Sequence, residues 1–287
     1  MRRAERAIAY DEIDVIMGSH ISAVRLALHK VTSGRIPYVY TPVYEGGERT
    51  PGVVAIGETP RWQSRPSIHW LAETKRAARW YLIGSDYVWP WQSHRAVKRY
   101  IKETGGTVVG EEFVPVGEDD HAAQLERIRA AKPDVVLISL IGTDSVTFNR
   151  AFAEAGLART ILRYASCVDE TSLLGIGADK TENLFCASGY FPSVGSHAGD
   201  DFRDRHRAMF GPFAPPNGQT TAPAPPPGTP SSPDTTTGAC APGVAGSATA
   251  TGGRSPTSAT TTPSPGSSPR STADRARRAR RLERSQE

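Results

Sequence analysis

The chain has 287 residues, 38% of them hydrophobic and 22% charged, with a formal net charge of +4. Length and composition allow one large domain or two small ones. No run approaches the roughly 20 apolar residues of a membrane-spanning helix. The averages hide a division. Residues 1–213 carry regular aliphatic runs, whereas residues 214–272 contain no aromatic residue and only Val244 as a large aliphatic. Such a Pro/Ser/Thr-rich stretch buries too little apolar surface to offset the entropy of ordering it. Residues 214–287 are therefore expected to form a disordered tail. Its basic end, Arg275–Arg284, supplies the net positive charge. The globular part shows no basic stripe interleaved with aromatics, so nucleic-acid binding is not expected there.

The predicted elements alternate along the chain. Asp14–Gly18 reads as a buried strand, and Ile21–Lys30 as a helix. Pro37–Tyr40 and Val53–Gly57 read as strands separated by a polar loop, Tyr44–Pro51. Residues 61–78 suit a helix with Ile68, Leu71 and Ala72 on one face. Trp80–Gly84 is a strand, and a helix runs from about Gln92 to Glu103, closed by Gly105-Gly106. Thr107–Val116 is a strand. Asp119-Asp120 stands where an N-cap is wanted, before a helix over His121–Lys132. Val135–Leu140 is a continuous apolar run of parallel-sheet type. A helix over Ser145–Ala155, a strand over Ile161–Ala165, a short helix over Glu170–Leu174, a strand over Leu184–Tyr190 and a helix over His197–Phe210 complete the series. This repeated βα order predicts an α/β fold with mostly parallel sheets covered by helices.

Between the Trp80 strand and its helix, Tyr87 and Trp89 stand one residue apart on a turn. Ligands in open α/β sheets bind beyond the carboxyl ends of strands, and two aromatics with polar tips suit a small, neutral, polar molecule. Motifs for catalysis are missing from the sequence. No Gly-x-Gly-x-x-Gly turn, phosphate loop, Gly-x-Ser-x-Gly elbow or His-Glu-x-x-His helix occurs. No cofactor is expected. The histidines are scattered, so neither is a metal site. Cys167, Cys186 and Cys240 match no zinc or redox spacing. Cys167 and Cys186 read as isolated core or edge residues, with pairing between them as the alternative.

Five segments occur in order: Ile16–Ser22, Tyr40–Gly46, Gly84–Pro90, Gly105–Pro115 and Lys132–Val136. Together they resemble the amide- and urea-binding branch of the type I periplasmic binding proteins. That branch includes substrate-binding subunits of urea and short-chain amide ABC transporters, and the amide sensor of aliphatic amidase operons. The resemblance spans about residues 10–212. It implies two α/β lobes that close on a ligand: a partial first lobe over residues 1–57, a second over 58–192, and a final helix or return segment over 193–213. It implies no enzymatic activity, a small amide, urea or similar solute as ligand, and permease subunits as partners of an exported protein. Location would be extracytoplasmic. The charged N-terminus lacks a signal peptide's apolar core, so the chain as written reads as cytoplasmic and truncated at both ends.

Carried over segment by segment, the resemblance implies ligand contacts at Ser22, Tyr40, Pro42, Tyr87, Trp89 and Thr143. Ser22 would hold a ligand carbonyl with its hydroxyl and the helix N-terminal amides. His20 falls where relatives often carry an aromatic. Gly142-Thr143-Asp144 and Asp169-Glu170 face the cleft in such folds, although acidic N-caps look the same in sequence. Three other readings stay open. They are a cytoplasmic amide sensor with the same cleft, an α/β enzyme of unrecognised chemistry, and a fragment that binds nothing.

Overall fold

In a computed structural model of the chain, residues 2–11, 13–18, 20–191, 197–211 and 245–246 are described. All lie within one unit, Met1–Ala248. Two sheets organise them. The first is parallel in the order β1 (Ile16–Gly18), β2 (Tyr38–Tyr40), β3 (Val53–Ala55). Ahead of it runs α1 (Arg2–Tyr10), which the sequence reading leaves unassigned, and α2 (Ser22–Thr32) joins β1 to β2.

The second sheet has the order β5-β4-β6-β7-β8-β9. Its elements are α3 (Ser64–Lys75), β4 (Arg79–Ser85), α4 (Val88–Glu103), β5 (Thr107–Val114), α5 (Ala122–Ala131), β6 (Val135–Ser139), α6 (Gly142–Glu154), β7 (Leu162–Ala165), α7 (Glu170–Ile176) and β8 (Leu184–Cys186). Strands β4 to β8 pair in parallel. α8 (His197–Phe210) follows, and β9 (Ala245–Gly246) pairs antiparallel with β8. β9 lies within the stretch expected as tail, and the outer edge of β8 offers a row of backbone groups to any segment that reaches it. The rest of the tail, with Cys240 and the basic end, lies outside the described residues.

Alternation along β4 and β6 sends side chains to both faces. Tyr81, Ile83, Val136 and Ile138 pack with Leu125 and Ile128 of α5 and Phe148 and Phe152 of α6. Trp80, Leu82, Val135 and Leu137 pack with Ile68 and Leu71 of α3 and Val97 and Ile101 of α4. Burying each such side chain contributes about 1.5–3 kcal/mol, which explains why β6 reads as an unbroken apolar run. The largest buried polar side chain of this core is an arginine. Arg163 on β7 is fully buried, and its guanidinium donates to the Asn149 carbonyl and Oδ1 (both 3.0 Å) and to the carbonyls of Lys180 (2.7 Å) and Glu182 (2.8 Å). Burial brings its pKa down to about 10.

Among the described residues, the first sheet is covered on one face. Leu28 and Val31 of α2 pack on Tyr38 and Tyr40. On the other face Met17, Val39 and Val54 lie side by side in register, with Met17 68% and Val54 53% exposed.

The chain leaves β3 through Gly57, where a Cβ would lie 1.7 Å from the Pro42 carbonyl oxygen. Only glycine permits that approach. Beyond it, Glu58 accepts from the Gly189 N–H, and Gln63 Nε2 donates to the carbonyls of Ser166 (2.8 Å) and Ala187 (2.6 Å). These bonds tie the exit from the first sheet to the segments after β7 and β8.

Candidate ligand-binding cavity

Strands β4 and β6 are neighbours, with β5 beyond one and β7 beyond the other, so chain order reverses between them. Loops leaving such a switch point diverge and open a crevice past the strand ends. Here β4 leads to Tyr87 and Trp89, β6 to Ile141, and β7 to Cys167. The first sheet faces them: His20, Ile21 and Ser22 follow β1, while Tyr40, Pro42 and Val43 end or follow β2. These residues enclose a cavity of about 180 Å³. Helix α2 packs against α4 beside it.

Three helices start at this cavity. The N-cap residues of α2, α4 and α6 are Ile21, Tyr87 and Ile141, all in its lining, and none makes a side-chain capping bond. The first N–H groups of a helix have no intrahelical partner and carry partial positive charge. The lining itself holds no Asp, Glu, Lys or Arg. The walls combine the rings of Tyr40, Tyr87 and Trp89 with aliphatic residues such as Val43 and Ile141 and the small polar Ser22.

On the first-sheet side the hydroxyls are fixed from behind. Ser22 Oγ donates to Glu45 Oε2 (2.7 Å), and the other Glu45 oxygen takes Arg25 Nη2 (2.5 Å). Arg25 is only 2% exposed. Its second nitrogen lies 3.1 Å from Glu48, and its guanidinium stands over the rings of Tyr40 (5.2 Å) and Tyr44 (5.0 Å). The Tyr40 phenol donates to the His20 carbonyl (2.7 Å). Burial pushes its pKa up, opposed by the neighbouring Ser22 hydroxyl and Arg25. Burial also lowers the pKa of His29, against the pull of Glu48.

On the second-sheet side Tyr87 and Trp89 stand with ring centroids 6.2 Å apart at 37°. Trp89 is 3% exposed. Burial, with Cys167, Tyr40 and Glu45 nearby, pushes the Tyr87 phenol well above its ordinary value. Burial raises the Cys167 thiol to about 12, with Glu58 and Asp169 adding to it, so it faces the cavity as a neutral thiol rather than a nucleophilic thiolate. Cys167 and Cys186 are both free.

One row of residues has the composition of a hydrolytic triad. His94 Nε2 lies 3.2 Å from Ser139 Oγ, and Nδ1 lies 3.3 Å from Glu111 Oε1. None of the three lines the cavity, and Ser139 and His94 are 1% and 0% exposed. His94 also stacks on Phe113 at 5.0 Å. The row fastens α4, and with it Trp89, onto β5 and β6. Among the described residues no three His, Cys, Asp or Glu side chains are grouped to hold a metal ion, and no helix is long and apolar enough to cross a membrane.

Five of the six expected contact residues, Ser22, Tyr40, Pro42, Tyr87 and Trp89, come together in this lining; Thr143 does not. Helix α6 begins at Gly142, so Thr143 is exposed on its first turn and Ile141 takes the place at the cavity. Asp144 accepts from the Gly117 N–H (2.9 Å), and Asp169 accepts from Ser172 N (2.9 Å) as the N-cap of α7. The ambiguous acidic residues are thus used locally. His20, Ile21, Val43, Ile141 and Cys167 were not among the expected contacts. Each stands within three residues of a strand's carboxyl end, and that position is the signal that could have found them.

Solved structures with the same fold include a periplasmic binding protein from Burkholderia mallei, with 18% identity and a TM-score of 0.69, covering 77% of this chain and 59% of that one. An ABC-transporter solute-binding protein from R. palustris, in complex with 4-hydroxybenzoate, is 21% identical with a TM-score of 0.69, covering 76% of this chain and 61% of that one. A leucine-binding protein from Thermotoga maritima is 20% identical with a TM-score of 0.66, covering 76% and 63%. The chain thus spans about three fifths of the length of these proteins. A family model described as periplasmic binding protein matches residues 1–223. With its parallel sheets and the cavity at their carboxyl ends, the chain belongs to the periplasmic binding protein family and has the type I fold.

Proposed function

We propose that this chain is the solute-binding component of an ABC-type transporter and takes a short amide, urea or a related small polar solute. The observation that carries the reading is a cavity of about 180 Å³ between two sheets, walled by Tyr87 and Trp89 on one side and Ser22 and Tyr40 on the other, without a charged side chain in its lining. A cavity of about 150 Å³ accommodates a benzene ring, so this one has room for a small polar solute. The reading includes two lobes, residues 1–57 and 58–192, that close on the solute by a hinge motion. It also includes an extracytoplasmic location and permease subunits as partners.

Calorimetric titration of the full chain with acetamide, urea and 4-hydroxybenzoate tests it. Saturable binding of acetamide or urea is expected. If only 4-hydroxybenzoate binds, the amide class is wrong and the solute-binding role stands. Binding of none of the three overturns both.

A second reading rests on the uncovered face of the first sheet at Met17, Val39 and Val54. Parallel sheets are covered on both faces in stable folds. On this reading the first sheet is unstable alone and the chain binds no solute. Thermal melting separates the two, since a cooperative transition that rises with added acetamide supports only the first.

A further inference from the structure

The loop entering α5 is fastened to the first turns of α6 around a buried histidine. His121, the N-cap of α5, is 2% exposed. Its Nε2 lies 3.0 Å from the Thr147 hydroxyl of α6, and its ring meets Phe148 edge-on at 5.4 Å and 82°. Nδ1 is buried without a hydrogen-bond partner. The charged groups that act on the ring are all carboxylates: Glu118, Asp119 and Asp120 on its own loop, and Asp144 on the first turn of α6. Among the described residues none of these four pairs with a Lys, Arg or His. Asp144 accepts from the Gly117 N–H (2.9 Å), which gives the loop a second tie to α6.

A neutral imidazole has one donor and one acceptor nitrogen, and the Thr147 hydroxyl can satisfy either at Nε2. An imidazolium donates from both nitrogens. In this seat Nδ1 finds no acceptor, and a buried cation with an unsatisfied donor is costly. The carboxylates that would welcome the cation stand just outside the seat.

We infer that His121 is an acid-sensitive joint. Neutral, it seats the loop over residues 117–121 against α6; protonated, it leaves that seat for the carboxylates around it and frees the loop from α6. Ile141, the N-cap of α6, lines the cavity, so the joint works beside the candidate site without being part of it. It does not depend on which solute binds. Burial holds the His121 pKa below its ordinary 6.5, against the pull of Glu118, Asp144, Asp120 and Asp119. The released ring therefore takes its proton at higher pH than the seated one. The joint's contribution is fully present above 6.5 and is lost as pH falls below it. About one pH unit below 6.5, the released form gains about tenfold over the seated form.

His29 and His94 also have pKa values lowered by burial, so the test has to be local. Hydrogen exchange on the full chain, read by NMR as protection factors at about pH 7.5 and about pH 5.5, meets this. The reporters are the amides of Gly117 and of Leu125, which donates to the His121 carbonyl (3.0 Å); the amides of β4 are the reference. Protection at the reporters is expected to fall about tenfold at the lower pH while β4 keeps its own. His121→Gln keeps a donor and an acceptor but does not titrate, so the fall should vanish in it. The wild-type imidazole resonances need no variant: His121 should titrate below 6.5, in step with the loss of protection. Reporter protection that is unchanged, that falls together with β4, or that falls equally in His121→Gln overturns the inference. So does a His121 ring that titrates with no loss at the reporters.

Discussion

Replacing Trp89 by alanine probes the cavity at its most exacting wall. Its indole is 3% exposed, stands 6.2 Å from the Tyr87 ring and lines the cavity. Two costs have to be separated. Loss of a buried tryptophan from a packed site costs about 3–5 kcal/mol of stability. Loss of one aromatic face against a small solute costs about 1–2 kcal/mol of binding, or about five- to thirtyfold in Kd. Trp91 supplies the control, because it is 46% exposed, absent from the lining and bonded to Asp86 at 3.0 Å. Tryptophan fluorescence titrated with acetamide or urea, at a temperature where melting shows each protein folded, reads the binding loss alone. Trp91→Ala should keep the wild-type Kd within about twofold, and Trp89→Ala should weaken it by the factor above. Equal Kd values for the Trp89 and Trp91 variants would refute the assignment of Tyr87 and Trp89 as the solute shelf.

Gly57→Ala would place a Cβ 1.7 Å from the Pro42 carbonyl oxygen and 2.9 Å from that of Thr41. It should lower stability by about 1–3 kcal/mol in urea unfolding and weaken solute binding through Pro42; an unchanged midpoint would contradict the packing described. Arg163→Met would leave the buried carbonyls of Asn149, Lys180 and Glu182 without their donor. At about 1–3 kcal/mol for each of two or more orphaned groups, the loss is about 2–5 kcal/mol, or about 4–20 °C in thermal midpoint. A drop below about 2 °C would show that those carbonyls find other partners. The hydrogen bond with His94, aided by Lys98, holds Glu111 down at about 2, below its ordinary 4.5. A carboxylate whose folded pKa is depressed stabilises the fold above its unfolded pKa and loses that contribution as pH falls from about 4.5 toward 2. Urea midpoints should decline over that window, and Glu111→Gln should flatten the decline; a parallel profile in the variant would count against it.

Legibility in the sequence followed the strength of the local signal. β4 and β6 announce themselves because both faces are buried, which makes Trp80–Ile83 and Val135–Ile138 continuous apolar runs. The three strands of the first sheet are shorter than expected; β1, for instance, starts at Ile16 rather than Asp14. Helix α4 begins at Val88, four residues before the expected start, because Pro90 is accommodated in its first turn, where no N–H partner is needed. That shift places Trp89 on the helix rather than on a free turn. β8 stops at Cys186 instead of Tyr190, and the Ala187 carbonyl just beyond it is taken by Gln63. α1 carries no buried residue, and its short apolar stripe, Ala4, Ala7 and Ile8, is only half-buried. At the cavity, Ser22, Tyr40, Tyr87 and Trp89 were readable from motif segments. Ile141 and Cys167 were not, because an aliphatic and a thiol just past a strand look like ordinary core. The Glu45–Arg25 pair behind Ser22 was equally invisible, since it joins residues 20 apart in sequence through side-chain geometry alone.

The central claim is that a small solute is held between the first-sheet residues Ser22 and Tyr40 and the second-sheet residues Tyr87 and Trp89. A crystal structure of the full chain grown with acetamide or urea measures this directly. The account predicts solute density between the Tyr87 and Trp89 rings and the Ser22 and Tyr40 hydroxyls, with a carbonyl oxygen at a helix N-terminus. Density at another site, or an empty cavity at saturating solute, would contradict it.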